Sequence, residues 1–304
     1  MHARVVDGEA KLPAAEAEGA EARLVRELTA QTPPAARTPE EWEKLYGRLL
    51  QTLLSASTYP DPASADRPRP PKMILEEIIV SAGAPGRESQ RTALVQAMVA
   101  LLQSSDRLND CIFLLRQLAV VGREEAVPPL ARLLGGKGDG TGLSADARKA
   151  AAEPALRQYA LAALESNTSA AAAHALVAAL EQTEAPAWRV AVIQALGRRR
   201  EKSAAAVLAR QLDNHDAQVA DAAAMALGSI ATAEAAQALA AAARTPPEAR
   251  RALLAHARLL CADRMTARGE KDAAYAIFKE IHDGTQDPLL KTSALRGMGL
   301  SKPR

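Results

Sequence analysis

Arginine is the residue type in this chain best suited to recognising something. Arg157 and Arg189 each follow an apolar residue, Leu156 and Trp188, at matching places in two similar segments, and Arg198, Arg199 and Arg200 with Lys202 form a dense basic run. A guanidinium offers parallel N–H donors that match a carboxylate or a phosphate. Arg157, Arg189, Arg198, Arg199, Arg200 and Lys202 are therefore the candidate partner-binding residues, and an acidic segment of a protein would fit them. Two alternatives compete. Arg157 and Arg189 can sit between adjacent structural units and pair with acids or helix ends. The basic run follows a helix end, where cations offset the helix dipole.

Other reactive groups are scattered. The histidines are His2, His174, His215, His256 and His282, and none is followed by glutamate. Metal binding needs several ligands converging on one point, so no metal site and no cofactor is expected. Cys111 and Cys261 belong to no CxxC pair, and the expectation is two free thiols used as small apolar residues. The segment GGKGDGTGLS at 135–144 is half glycine, but Lys137 is followed by Gly138 rather than Ser or Thr, so it is no phosphate cradle. It reads as a projecting solvent loop. No nucleophile motif stands out, and no catalytic residue is assigned.

The composition says what must position these side chains. Hydrophobic residues make up 48% and aromatics 3% of the 304 residues, with alanine prominent. Alanine is the best helix former, and small side chains let helices approach closely. Net charge is +2, from 38 basic and 36 acidic residues, which does not favour a surface that tracks phosphates along the whole chain. Apolar stretches are broken well short of a membrane span. Met1–Pro13 lacks a signal-peptide core, so a cytoplasmic protein is expected from the sequence as it stands.

Along the chain, residues 1–37 read as a flexible tail, with a short helix near Ala20–Leu28. Thr38-Pro39-Glu40-Glu41 supplies an N-cap, a first-turn proline and a capping-box glutamate. An N-terminal helix over 38–57 follows, with Trp42, Leu45, Leu49, Leu50 and Leu53 at helical spacing. Prolines 60, 62, 68, 70 and 71 make 58–72 an extended linker. Residues 73–304 form the remainder, with helices near Lys72–Ser81 and Ser89–Gln103 and clear repetition from 109.

The repetition is the strongest signal. LRQYALAALE (156–165), WRVAVIQALG (188–197), VADAAAMALG (219–228) and LKTSALRGMG (290–299) align. Their apolar columns are Leu156, Trp188, Val219, Leu290, then Ala160, Val192, Ala223, Ala294, then Leu164, Leu196, Leu227, Met298. Steps of four put these on one helix face, so Trp188 is expected in the core. The last column, Glu165, Gly197, Gly228 and Gly299, is expected to end the helix. Second helices follow at LARLL, LVAAL, LARQL and LAAAA, whose first leucines, Leu130, Leu176, Leu208 and Leu239, stand 46, 32 and 31 residues apart. A hairpin of that size cannot bury its own apolar face and must stack on a neighbour, which makes an all-α solenoid of about five to six helix pairs. Pro247–Ala267 and Glu270–His282 are longer, turned by Gly269, and resemble a TPR-style pair. No partner helix follows 286–298, which suggests a longer natural chain.

The phrases WRVAVIQALGRRREKSAAAVLARQL and VADAAAMALGSIATAEAAQALAAA resemble HEAT repeats of the short, bilin-lyase type. The apolar–basic pairs Leu156-Arg157, Trp188-Arg189 and Leu290-Lys291 fit that pattern. Val219-Ala220 departs from it, and so does Cys111 in the arginine column. The arrangement, with FLLRQLAVVG at 113–122, is also similar to HEAT-repeat proteins of planctomycete and verrucomicrobial bacteria. The resemblance implies an armadillo-type superhelix over roughly 109–300 that binds proteins. HEAT-like deoxyhypusine hydroxylases carry repeated His-Glu pairs, which this chain lacks. Likeness to bilin lyases implies, as an alternative, a chromophore-handling protein using Arg157 and Arg189 for propionates. Likeness to DNA-binding HEAT-like glycosylases implies a nucleic-acid binder, but the basic run does not recur at Ser229, Ile230 and Ala231. The leading expectation is a non-catalytic scaffold that holds a protein segment along the solenoid surface.

Overall fold

The structure is a computed structural model that describes residues 24–25, 27–28, 37–56, 59–61, 64–135 and 153–302. Regular structure among the described residues is helical apart from one short strand pair, and the chain forms two compact units, Met1–Glu125 and Ala126–Arg304. The architecture is an all-α solenoid. Most of the expected tail and all but the first residue of the glycine-rich segment lie outside the described residues.

The first unit begins on the expected cap. Glu41 N donates to Thr38 Oγ1 at 3.2 Å and Thr38 N to Glu41 Oε2 at 2.8 Å, closing the capping box of α1 (Pro39–Ser55). Its inner face buries Trp42, Tyr46, Leu49, Leu50 and Leu53, and Trp42 stacks on Tyr46 at 5.6 Å. The proline-rich segment is not simply a linker. β1 (Tyr59–Asp61) and β2 (Ser64–Arg69) pair antiparallel, with Tyr59 opposite Arg69. Proline tolerates the edge of such a two-stranded ribbon, where not every N–H must enter a ladder. Val25 and Leu28, within the expected tail, are helical and buried. α2 (Pro71–Ala82), α3 (Glu88–Ser104) and α4 (Leu108–Val121) complete the unit, with α3 packed along α1.

The second unit holds α5 (Val127–Leu133), α6 (Pro154–Ser166), α7 (Ala170–Gln182), α8 (Pro186–Arg199), α9 (Ala205–Arg210), α10 (Ala217–Ile230), α11 (Ala233–Ala242), α12 (Arg251–Ala267), α13 (Lys271–Gly284) and α14 (Pro288–Ser301). The first helices of successive hairpins, α6, α8, α10, α12 and α14, pack one on the next. Second helices pack behind them, α5 against α7 and α9 against α11. Proline at the first position starts α6, α8 and α14, while side chains of Ser169, Asp216, Thr232 and Asp287 cap α7, α10, α11 and α14. The aligned columns are the core: Leu156, Ala160, Leu164, Val192, Leu196, Val219, Ala223, Leu227, Leu290 and Ala294 are all buried. Gly269 turns α12 into α13 with φ of 87°, and Ala274, Phe278 and Ile281 face inward. That pair occupies one step of the row, since α12 packs directly on α10.

The glycine column works differently from the expectation. α8 runs on past Gly197 to Arg199, α10 past Gly228 to Ile230, and α14 past Gly299 to Ser301. The left-handed residues that end α8 and α10 are Arg200 (φ 53°) and Ala231 (φ 55°). Gly197 and Gly228 instead set the spacing between first helices. A Cβ on Gly197 would meet Ala226 Cα at 2.9 Å, and one on Gly228 would meet the Ala257 carbonyl oxygen at 2.5 Å. Helix backbones lie in near contact there, which only glycine permits. Gly299 faces open space.

Candidate functional site

Each expected site residue has a defined place in the second unit. Arg157, near the start of α6, donates from Nε to the Leu134 carbonyl at 3.0 Å, and its guanidinium lies 4.1 Å from the ring centroid of Trp188. Desolvation by burial holds its pKa below the usual arginine value. Arg189, near the start of α8, donates from Nε to the Thr183 carbonyl at 3.2 Å and from Nη1 to Gln211 Oε1 at 3.3 Å. Arg199, with its side chain 8% exposed, donates from Nη1 to the carbonyls of Leu164 (2.9 Å), Glu165 (3.1 Å) and Asn167, and from Nη2 to that of Ser169.

These three share one job. The last carbonyls of a helix lack intrahelical partners and carry the negative end of its dipole. A long, permanently charged donor fork from the next helix satisfies several at once. The same device recurs at arginines for which no role was expected from the repeat pattern. Arg250 reaches the Leu212 carbonyl at 3.1 Å and Asp221 Oδ1 at 2.7 Å. Arg268 reaches the carbonyls of Ile230 (3.3 Å) and Ala231. In the first unit Arg91 takes the Val121 carbonyl at 3.2 Å and Arg107 that of Leu54 at 3.1 Å. Their signal in the sequence is faint, because each reaches a carbonyl 30–53 residues away without a fixed motif.

Arg198, Arg200 and Lys202 stay at the surface. Arg198 grips Glu165 in a fork, at 2.5 and 2.6 Å, with its side chain half exposed. The hydrogen bond to Glu165 raises its pKa. Arg200 is exposed in the left-handed turn position, and Lys202 is exposed at the start of a single 3-10 turn, Lys202–Ala204. Trp188 is partly buried rather than enclosed in the core, with Arg157 covering one ring face.

Beside Arg198 runs a groove of roughly 510 Å³ lined by α8, α10 and Leu253 of α12. Its floor is Gly197 and Ala226, the close contact described above, and its walls are Val190, Gln194, Gln218, Asp221, Ala222, Met225 and Ser229. Small floor residues make it shallow, and the open, mixed polar and apolar lining suits a polypeptide better than an enclosed small molecule. Met225 is 39% exposed in its wall. No group of three or more His, Cys, Asp or Glu side chains in the described residues is arranged to hold a metal. Both cysteines are free and buried, and desolvation pushes the Cys261 thiol up to about 11, away from nucleophilic use. Among the described residues, no helix is long and apolar enough to cross a membrane.

Residues 173–259 match the model for HEAT repeats. The match runs from within α7 into α12 and supports a HEAT-repeat protein. No curated protein matches the chain.

Proposed function

We propose that this HEAT-repeat protein is a non-catalytic scaffold that holds a segment of another protein against the row of first helices. HEAT repeats commonly serve protein interaction, through the extended surfaces that stacked repeats create. The observation that supports the reading here is the groove between α8 and α10. It combines a floor that only small residues allow with an exposed Met225, two glutamines and the Arg198–Glu165 pair at its rim. Methionine adapts to varied apolar partners, and an extended segment can donate to and accept from Gln194 and Gln218. Of the basic residues, Arg200 and Lys202 are exposed for an acidic partner, while Arg198 holds Glu165 at the rim. Arg157, Arg189 and Arg199 contribute by fixing the helices that frame the groove.

The commitments of the arginines also weigh against the alternatives. A bilin-handling site would draw on Arg157 and Arg189, whose donors already serve Leu134 and Thr183. A phosphate-tracking surface would need the basic run free, yet Arg198 holds a carboxylate and Arg199 holds carbonyls. The test is a partner captured from the native organism, purified, and titrated against the whole chain. Met225→Glu and Ala222→Glu should each raise Kd at least tenfold, while Glu234→Ala on α11 leaves it unchanged. Equal affinity for all four proteins would remove the groove from the reading.

A further inference from the structure

We propose that a second cavity, at the edge where each hairpin passes to the next, is a recognition site for an acidic residue of a bound polypeptide. The proposal rests on the protein-binding reading and adds a charge-specific subsite outside the first-helix groove.

The cavity holds roughly 610 Å³ between the end of α11, the start of α12, the end of α13 and the start of α14. Three arginines line it: Arg244, Arg251 and Arg258. Two carboxylates share the lining, and both are committed. Glu280 pairs with Arg258. Asp287 Oδ1 accepts from Leu289 N at 2.8 Å and from Leu290 N at 3.4 Å, capping α14. Arg244 and Arg251 are exposed, and among the described residues neither side chain has an acidic partner or a carbonyl to hold. Elsewhere in this unit Arg157, Arg189, Arg199, Arg250 and Arg268 hold carbonyls at helix ends. Here two guanidiniums stand open over one cavity, beside a third that is 13% exposed and held in place by Glu280.

The chemistry of the occupant follows from the rest of the lining. Pro246, Leu254, Ile281 and Leu290 supply apolar surface. Leu289, between Asp287 and Leu290 in the chain, is 79% exposed. Ion pairs on exposed side chains contribute little each in water, so a free small anion gains too little from Arg244 and Arg251 to stay. A polypeptide adds apolar contacts next to its carboxylate and gains from both kinds of surface. An Asp or Glu flanked by leucine-like residues is the sequence that fits.

The probe is a fluorescein-labelled hexapeptide of alternating aspartate and leucine, titrated into the whole chain and followed by anisotropy. Saturable binding is expected, with Kd raised at least tenfold in the Arg244→Ala/Arg251→Ala double variant, whose melting temperature checks that it folds. Glu234→Ala, outside both sites, should leave this Kd unchanged. The proposal is overturned if the double variant binds like the natural chain. It is equally overturned if a serine–leucine hexapeptide binds as tightly, or if inorganic phosphate displaces the probe at concentrations below the peptide's Kd. If the peptide fails but the purified partner still loses affinity with Met225→Glu, the pocket falls and the groove reading stands.

Discussion

The two edges of the second unit use the same side chain for opposite ends. At the turn edge, where a first helix leads into its own second helix, Arg199 and Arg268 donate to the carbonyls of α6 and α10 and the residues just beyond, with Glu201 and Glu270 also in ion-pair range. At the edge between hairpins, Arg244 and Arg251 point into an open cavity and meet no carbonyl or acid among the described residues. The difference teaches that arginine content alone does not mark a binding surface in a helical array. What matters is whether unsatisfied helix-end carbonyls lie within reach.

The sharpest way to break this comparison is to remove Arg199. Its guanidinium is almost fully enclosed, and without it the carbonyls of Leu164, Glu165, Asn167 and Ser169 lose a shared charged donor. Charge-assisted bonds of this kind contribute about 1.5–3 kcal/mol. Arg199→Ala should therefore lower the unfolding free energy by about 3 kcal/mol in urea titrations. A loss under about 1 kcal/mol would mean that water replaces the arginine and that the turn edge is no more committed than the other.

The reach of these arginines depends on helix spacing, and Gly228 sets that spacing between α10 and α12. A methyl group there would press on the Ala257 carbonyl oxygen, which is backbone and moves only with its helix. Forced repacking of this sort costs about 1–3 kcal/mol. Gly228→Ala should destabilise by about 2 kcal/mol and also loosen Arg268 from Ile230 and Ala231, which hydrogen exchange at the end of α10 would report. Gly299→Ala, in open space inside a helix, should be neutral or stabilising by up to about 1 kcal/mol.

The contrast between Gly228 and Gly299 marks how far the sequence could be read. The columns from Leu156 to Leu290 gave the repeat, the helix faces and the core, because burial leaves a periodic trace. The capping box at Thr38 was equally plain, since all its parts lie within four residues. Glycine at the end of an apolar column has two physical uses, a left-handed terminator or a close helix contact, and the spacing is the same for both. Arg157, Arg189 and Arg199 were visible as a pattern, but their carbonyl partners stand elsewhere in the chain and every residue has a carbonyl. For the same reason the second cavity left no trace. Arg244 follows α11, Arg251 starts α12 and Arg258 lies midway along it, and what distinguishes Arg244 and Arg251 is the absence of a partner among the described residues.

Arg200 sharpens the comparison from the turn edge itself. It ends α8 in the left-handed region, where a side chain with a Cβ is disfavoured by roughly 1–2 kcal/mol, and it is exposed. Arg200→Gly should therefore raise stability by about 0.5–1 kcal/mol, after allowing for the extra chain entropy of glycine when unfolded. If partner affinity falls in the same variant, the strained arginine serves binding. Unchanged affinity would leave it as a neutral turn residue and narrow the exposed basic set to Arg198 and Lys202.

The smallest effect expected is the most discriminating. Arg244→Ala and Arg251→Ala remove charges that meet no partner among the described residues, and exposed substitutions away from structural contacts stay within about 0.5 kcal/mol. Together they should leave the urea midpoint almost where it was, in contrast to the single change at Arg199. A loss of 2 kcal/mol or more would show that these arginines find helix-end carbonyls after all, and the two edges would then be alike. A stable double variant that no longer binds acidic peptide separates the two uses of arginine within one repeat array: one stiffens the frame, and the other is kept open for a partner.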